Sequence, residues 1–336
     1  MSKIVSRRNF LRESSILTGG LATWSSTALR TQANPAPRHG KKELVRALSG
    51  VHNFLTTPFL PDFSLDDEGL RRNVSFHAQS APKNMTIVVS GGLGELFSLS
   101  VEEHRRLVEA AVAGAEGKMP VVAGVGGGYK NALLMARNAE RAGVDAVFIF
   151  AYPLGCDKST GALHYLREVA QSISIGAMAY PCGKGEHWPE VLAALVELPN
   201  VIGFKDGSGQ LEIGAPLVGD DFLWVAEGEQ HAEKTLPAGG QAYTTAVATF
   251  VPQACLDFWR HGVAGNVEAM QQVRQQRIDP VVALRGVQAG YGISGIKVAL
   301  EALGRAGGPV RPPDKQVAEE DRAKIAEIAE KHAEKN

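Results

Sequence analysis

Asn131–Ala142, Gly143 and Ala146-Val147-Phe148-Ile149-Phe150 decide the fold. The first stretch spaces its apolar residues as a helix does and stops at a glycine, the residue that most readily takes the left-handed conformation closing a helix. An unbroken apolar run follows almost at once. A strand with one wet face alternates apolar and polar residues, whereas a strand buried on both faces does not. Helix, tight turn, buried strand is therefore the local unit. Working outward, similar runs bounded by Gly or Pro recur at His52–Thr56, Thr86–Ser90, Val121–Val125, Ala177–Tyr180, Val201–Phe204, Leu223–Ala226 and Ala242–Val247. Helical patterns lie between most of them. Asp66–Ala81 opens with acidic residues suited to a helix start. Val101–Ala115 follows Ser100, with Glu103 three residues on, the spacing of a capping box. Eight such units predict an α/β fold, a (β/α)8 TIM barrel, which takes ~250 residues. It is placed at residues 43–251, with residues 252–336 as a C-terminal helical extension. A doubly wound open sheet is the competing arrangement, and it lacks a dinucleotide fingerprint after the first strand.

The 336 residues are 44% hydrophobic and 21% charged, enough apolar side chain to offset chain entropy and exclude disorder as the dominant state. The net charge of −1 is unevenly spread. Residues 1–48 hold nine Lys/Arg against Glu13 and Glu43, so the body is mildly acidic. That disfavours a nucleic-acid partner. No run approaches the ~20 apolar residues of a membrane span. Three cysteines are too few for a disulfide scaffold. Ser6-Arg7-Arg8-Asn9-Phe10-Leu11-Arg12, followed by small and apolar residues from Ile16 to Leu29, reads as a twin-arginine export signal. A cleavage site near Ser26-Thr27-Ala28, a linker over Asn34–Lys42 and a periplasmic location are the expectations. The competing reading is a basic amphipathic helix at the chain terminus.

Active sites of such barrels lie at the C-terminal ends of the strands. Lys205, directly after Val-Ile-Gly-Phe, is the most informative residue there. A lysine in an apolar mouth loses solvating water, its pKa falls, and the neutral amine can form a Schiff base with a ketone. The alternative is a surface lysine paired with Asp206. Tyr180 ends the neighbouring strand and its phenol can relay protons; the alternative is a tyrosine packed in the rim. Gly91-Gly92-Leu93-Gly94 exposes N–H groups suited to an anion, or is a plain tight turn. Cys156 and Cys182 should face the same mouth, paired or as free thiols. With His164 and His187 they match no zinc pattern, and neither metal nor cofactor is expected. His104 with Arg105-Arg106 is expected on a solvated helix face.

These residues resemble the dihydrodipicolinate synthase and N-acetylneuraminate lyase superfamily. The carrying motifs are Thr56-Thr57-Pro58-Phe59, Gly91–Glu95 with Phe97-Ser98-Leu99-Ser100, Val122-Ala123-Gly124-Val125-Gly126, Tyr180, and Gly203-Phe204-Lys205-Asp206. Within it the chain looks most like the 5-dehydro-4-deoxyglucarate dehydratase branch. Tyr243-Thr244-Thr245-Ala246-Val247, Phe250-Val251-Pro252, Val282-Ala283-Leu284-Arg285, Gly290-Tyr291 and Gly307–Pro313 carry that likeness. The resemblance implies Lys205 as Schiff-base residue and Tyr180 as proton relay. It implies Thr56, Thr57, Gly91, Gly92, Leu93, Glu95, Thr244 and Thr245 as substrate-binding. It implies a 2-keto acid as substrate, dehydration and decarboxylation of a keto-sugar diacid to 2,5-dioxopentanoate, and a homotetramer. A carbon–carbon-bond-forming or cleaving aldolase and an exported keto-acid-binding relative are the alternatives. Three positions depart from the superfamily's pattern. Gly92 and Leu93 stand where threonine is usual, Pro181 where asparagine is usual, and Ala151–Cys156 replaces an aromatic segment.

Overall fold

The computed structural model describes residues 40–80, 82–151, 160–180, 188–219 and 221–334. The twin-arginine segment, most of the linker, Cys156, Pro181, Cys182 and His187 lie outside the described residues. Eight strands, β1 (Gly50–Phe54), β2 (Met85–Val89), β3 (Val121–Val125), β4 (Ala146–Phe150), β5 (Gly176–Tyr180), β6 (Val201–Asp206), β7 (Leu223–Glu227) and β8 (Ala242–Thr245), pair in chain order and close into a barrel. Every pairing is parallel, including β1 with β8. The expected TIM barrel is therefore the observed fold. Val121–Val125 and Ala146–Phe150 are strands with the bounds read from sequence. β8 stops at Thr245, where the N–H of Val247 turns back to the Thr245 hydroxyl. β6 and β7 run further than expected, to Asp206 and Glu227. That extension shapes the mouth.

The helix over Val101–Ala115 begins in the capping box expected for it. The Ser100 side chain accepts from the Glu103 N–H, and the Glu103 carboxylate accepts from the Ser100 N–H. The helix over Tyr129–Ala142 ends at Gly143 with a φ of 94°. Two expectations are corrected. Lys41 and Lys42 belong to a helix, Lys41–Leu48, whose buried Leu44, Val45 and Leu48 cover the amino-terminal end of the barrel. They are not linker. His104 is not solvated: it lies fully buried on the same helix face as Leu107, Val108 and Ala111. Its Nε2 is 2.8 Å from the Gly124 carbonyl, and burial lowers its pKa to about 4. Arg105 and Arg106 are on the wet face, paired with Glu102, Glu109 and Asp67.

Residues beyond Pro252 are helical, as expected. They include Pro252–Val263, Val267–Val273, a 3-10 turn at Ala283–Gly286, Ser294–Ala302 and Glu319–His332. The strap from Gly307 to Arg311 lies against the loops that follow β1 and β2. A Cβ at Gly308 would sit 1.8 Å from the Phe59 carbonyl oxygen, and its φ of 76° suits glycine alone. Beneath the strap, Lys297 Nζ meets Glu95 Oε1 at 2.5 Å, both side chains almost wholly buried. Lys297 also donates to the Pro309 carbonyl, and the Arg311 N–H donates to Glu95 Oε2. The Phe59 ring lies 4.4 Å from Lys297 Nζ and 4.1 Å from the Arg311 guanidinium carbon. The motif at Gly307–Pro313 thus ties the C-terminal region to the β1 and β2 loops.

Candidate active site

The direction of Lys205 follows from strand parity. Phe204 pairs with Trp224, and both rings pack on Trp188 of the helix Trp188–Leu195, outside the barrel. Side chains alternate faces along a strand, so Lys205, Val225 and Glu227 turn inward. The pairing of β5 with β6 steps from Ala177–Val201 to Met178–Gly203, leaving Ile202 as the extra residue. Gly203 has no room for a side chain there: a Cβ would be 2.7 Å from the Leu223 carbonyl.

Lys205 is buried, with 6% of its surface exposed, although it carries an amine. Its Nζ donates to Glu227 Oε1 at 2.9 Å. The same oxygen accepts from the Tyr180 hydroxyl at 2.8 Å. The amine stands 3.9 Å from the centre of the Tyr180 ring and 5.2 Å from that of Phe54. Phe150 packs edge-on against Tyr180 at 5.3 Å. Lysine, tyrosine and glutamate therefore form one connected group at the carboxyl ends of β5, β6 and β7. Burial pushes the Glu227 carboxyl up, but the Lys205 charge and the bonds from Lys205 and Tyr180 outweigh it, and its pKa lies below the usual glutamate value.

Asp206 is not the partner of Lys205. Its carboxylate faces away from the barrel interior, accepting from the N–H groups of Ser208, Gly209 and Gln210 and from the Ser208 hydroxyl. It also accepts from the Trp224 indole. The surface-pair alternative for Lys205 is thereby excluded.

The group lines a cavity of about 340 Å3, within the range of small-molecule sites. Gly92, Leu93, Thr244 and Thr245 line it too, as do Glu229 and Arg285. Among the described residues, the N–H groups of Gly92 and Leu93 donate to no protein acceptor. Gly91 serves packing: a Cβ there would come 2.6 Å from the Phe54 ring. Three further residues expected to bind substrate are, like Gly91, absent from the lining of this cavity. Glu95 is held by Lys297. Thr57 donates to the Gly94 carbonyl at 2.6 Å, and Thr56 lines a separate small cavity with Asn73, Thr249 and Ile296. For Glu95 the reason is the strap: the Arg311 N–H and the Lys297 amine beneath it take its two carboxylate oxygens. Among the described residues, no three His, Cys, Asp or Glu side chains converge on a metal site. Cys255, the free cysteine among them, is fully buried.

Sequence reading missed Glu227, Glu229 and Arg285. The signal for Glu227 was parity. It lies two residues beyond Val225, which pairs with Lys205, and ending β7 at Ala226 left it outside the strand.

A closed parallel barrel with a buried lysine at its carboxyl-end mouth is the build of a barrel enzyme of the lyase class, and relatives named dehydratases agree with it. A sequence model of the dihydrodipicolinate synthetase family matches residues 47–332, and the chain belongs to that family. A probable 5-dehydro-4-deoxyglucarate dehydratase of Corynebacterium glutamicum is 32% identical over 287 residues, covering 83% of this chain and 90% of that protein. A protein of the same name from Rhizobium rhizogenes is 34% identical, covering 86% and 97%. Dihydrodipicolinate synthase from Oceanobacillus iheyensis superposes with a TM-score of 0.77 at 24% identity, covering 87% of this chain and 98% of that one. A monomeric variant of dihydrodipicolinate synthase superposes with a TM-score of 0.73 at 22% identity, covering 86% of this chain and 97% of that one.

Proposed function

We propose that this chain is a Schiff-base dehydratase of a six-carbon keto-sugar diacid, of the 5-dehydro-4-deoxyglucarate type. The carrying observation is the Lys205 amine, buried and joined to Tyr180 through one oxygen of Glu227. The amine nitrogen adds to the keto carbon, the keto oxygen departs as water, and a protonated imine remains. The imine draws electrons when the neighbouring carbon gives up a proton. The resulting enamine expels the hydroxyl on the next carbon, which leaves with a proton as water. The far carboxylate then departs as carbon dioxide, its electron pair passing into the conjugated iminium. Protonation of the resulting dienamine at carbon restores the iminium, the enol left by decarboxylation becomes the aldehyde, and hydrolysis frees Lys205 and releases 2,5-dioxopentanoate. Tyr180 and Glu227 hold and pass the protons of these steps. The main-chain N–H groups of Gly92 and Leu93, with Thr244 nearby, take the carboxylate beside the keto group, since Leu93 brings no hydroxyl. Incubation with the keto diacid should release carbon dioxide and 2,5-dioxopentanoate in equal amounts, followed by NMR. Release of a smaller aldehyde instead would assign the aldolase reaction, and neither product would reject catalysis on this substrate.

We also propose that the segment from Ser6 to Leu29 directs export by the twin-arginine route. Replacing Arg7 and Arg8 together by Lys should leave a folded protein retained in the cytoplasm, with the wild type in the periplasmic fraction. A cytoplasmic wild type with Met1 intact would reject this. A homotetramer completes the proposal; light scattering at the mass of one chain would reject it.

A further inference from the structure

Arg285 closes the 3-10 turn at Ala283–Gly286, in the C-terminal helical region, and lines the same cavity as Lys205. It is half-buried. Its Nε donates to the Gly292 carbonyl at 2.9 Å, which anchors the guanidinium by one nitrogen. Among the described residues, no carboxylate lies within ion-pair distance of it, and its two terminal nitrogens donate to no protein acceptor. No acid nearby among the described residues pairs with it directly. Glu227 is committed to Lys205 and Tyr180. Glu229 lines the cavity as well, but burial holds its carboxyl above the usual range, against the pull of Thr245, Arg285 and Arg274. One Glu229 oxygen is buried without a partner. The cavity thus has two cationic poles. Lys205 is paired with Glu227, whereas Arg285 feels Glu229 only at longer range and forms no direct ion pair among the described residues.

A partly desolvated guanidinium without a direct carboxylate partner is costly, and its planar fork matches a carboxylate. We propose that Arg285 holds the second carboxylate of the substrate, the one remote from the keto group, and so selects a diacid over a monoacid of the same chain. This rests on the imine reading given above and deepens it. The remote carboxylate loses its charge when it departs as carbon dioxide. Arg285 therefore stabilises the state before that step and acts in capture and orientation, with its effect on KM rather than on kcat. Glu229, half-buried on the wall of the same cavity, offers its unpartnered oxygen to the hydroxyl next to that carboxylate.

Two substrates that differ only at the remote end test this: the keto diacid, and 2-keto-3-deoxygluconate, which carries a hydroxymethyl group there. Half-saturation of borohydride-trapped adduct is measured for both, with pyruvate as a check that the lysine is reactive. Wild type should favour the diacid. Arg285→Gln should raise its half-saturation by about 10–100-fold, far more than that of the monoacid. Arg285→Lys, keeping the charge but not the fork, should recover part of the loss. Equal weakening for both acids in both variants, or a diacid unaffected by Arg285→Gln, would overturn the assignment while leaving the imine intact. A wild type that traps no acid, pyruvate included, overturns the imine reading and this inference with it.

Discussion

Lys205→Ala should abolish turnover and leave no covalent adduct with any keto acid, while the protein unfolds as the wild type does. The alanine removes the nitrogen that enters the imine, and no neighbouring side chain can replace it. Tyr180→Phe and Glu227→Gln should be slower by about 10²–10⁴-fold rather than dead, since each removes only proton handling. They should also resemble one another, because one removes the hydroxyl that donates to the Glu227 oxygen and the other removes the charge that oxygen carries. The pH profile separates Glu227 from a merely structural acid. Its pKa is held below the ordinary value of 4.5, so the ion pair with Lys205 is fully present above that value and is lost as pH falls through the depressed one. The acidic limb of kcat should therefore lie below 4.5 in the wild type and vanish in Glu227→Gln. Equal and small losses in all three variants would instead describe a binding protein.

Lys297→Ala should be the most damaging change away from the cavity, lowering unfolding free energy by about 3–5 kcal/mol in urea titration. The Lys297 and Glu95 side chains are 0% and 1% exposed, so removal of the amine leaves a buried carboxylate without its charge partner. The Gly307–Arg311 strap loses the bond to the Pro309 carbonyl at the same time. Lys297→Met with Glu95→Gln should recover most of the loss, since neither buried charge then remains. A single-variant loss below about 1 kcal/mol would show that the pair is solvated after all.

The barrel was legible because each buried strand between helices leaves an apolar run in the sequence. Lys205 and Tyr180 were legible because strand ends are where such barrels place chemistry. Glu227 escaped by one residue of strand length: parity reaches it only if β7 is carried past Ala226. Arg285 escaped for another reason. It sits 80 positions after Lys205 and reaches the cavity from a turn in the helical region, a juxtaposition no local pattern encodes. Glu95 misled the reading in the opposite sense. A carboxylate in a mouth loop is expected to face substrate, yet Lys297, two hundred positions further on, takes it into the interior. His104 was misplaced because two arginines beside it suggested a wet face, whereas its spacing to Leu107, Val108 and Ala111 puts it on the buried one.

The central claim is that Lys205 forms the imine. Borohydride reduction in the presence of pyruvate, followed by intact and peptide mass, tests it most directly. One reduced pyruvate adduct per chain is expected, on the peptide containing Lys205, and none in Lys205→Ala. An adduct spread over exposed lysines, or its survival in Lys205→Ala, would contradict it.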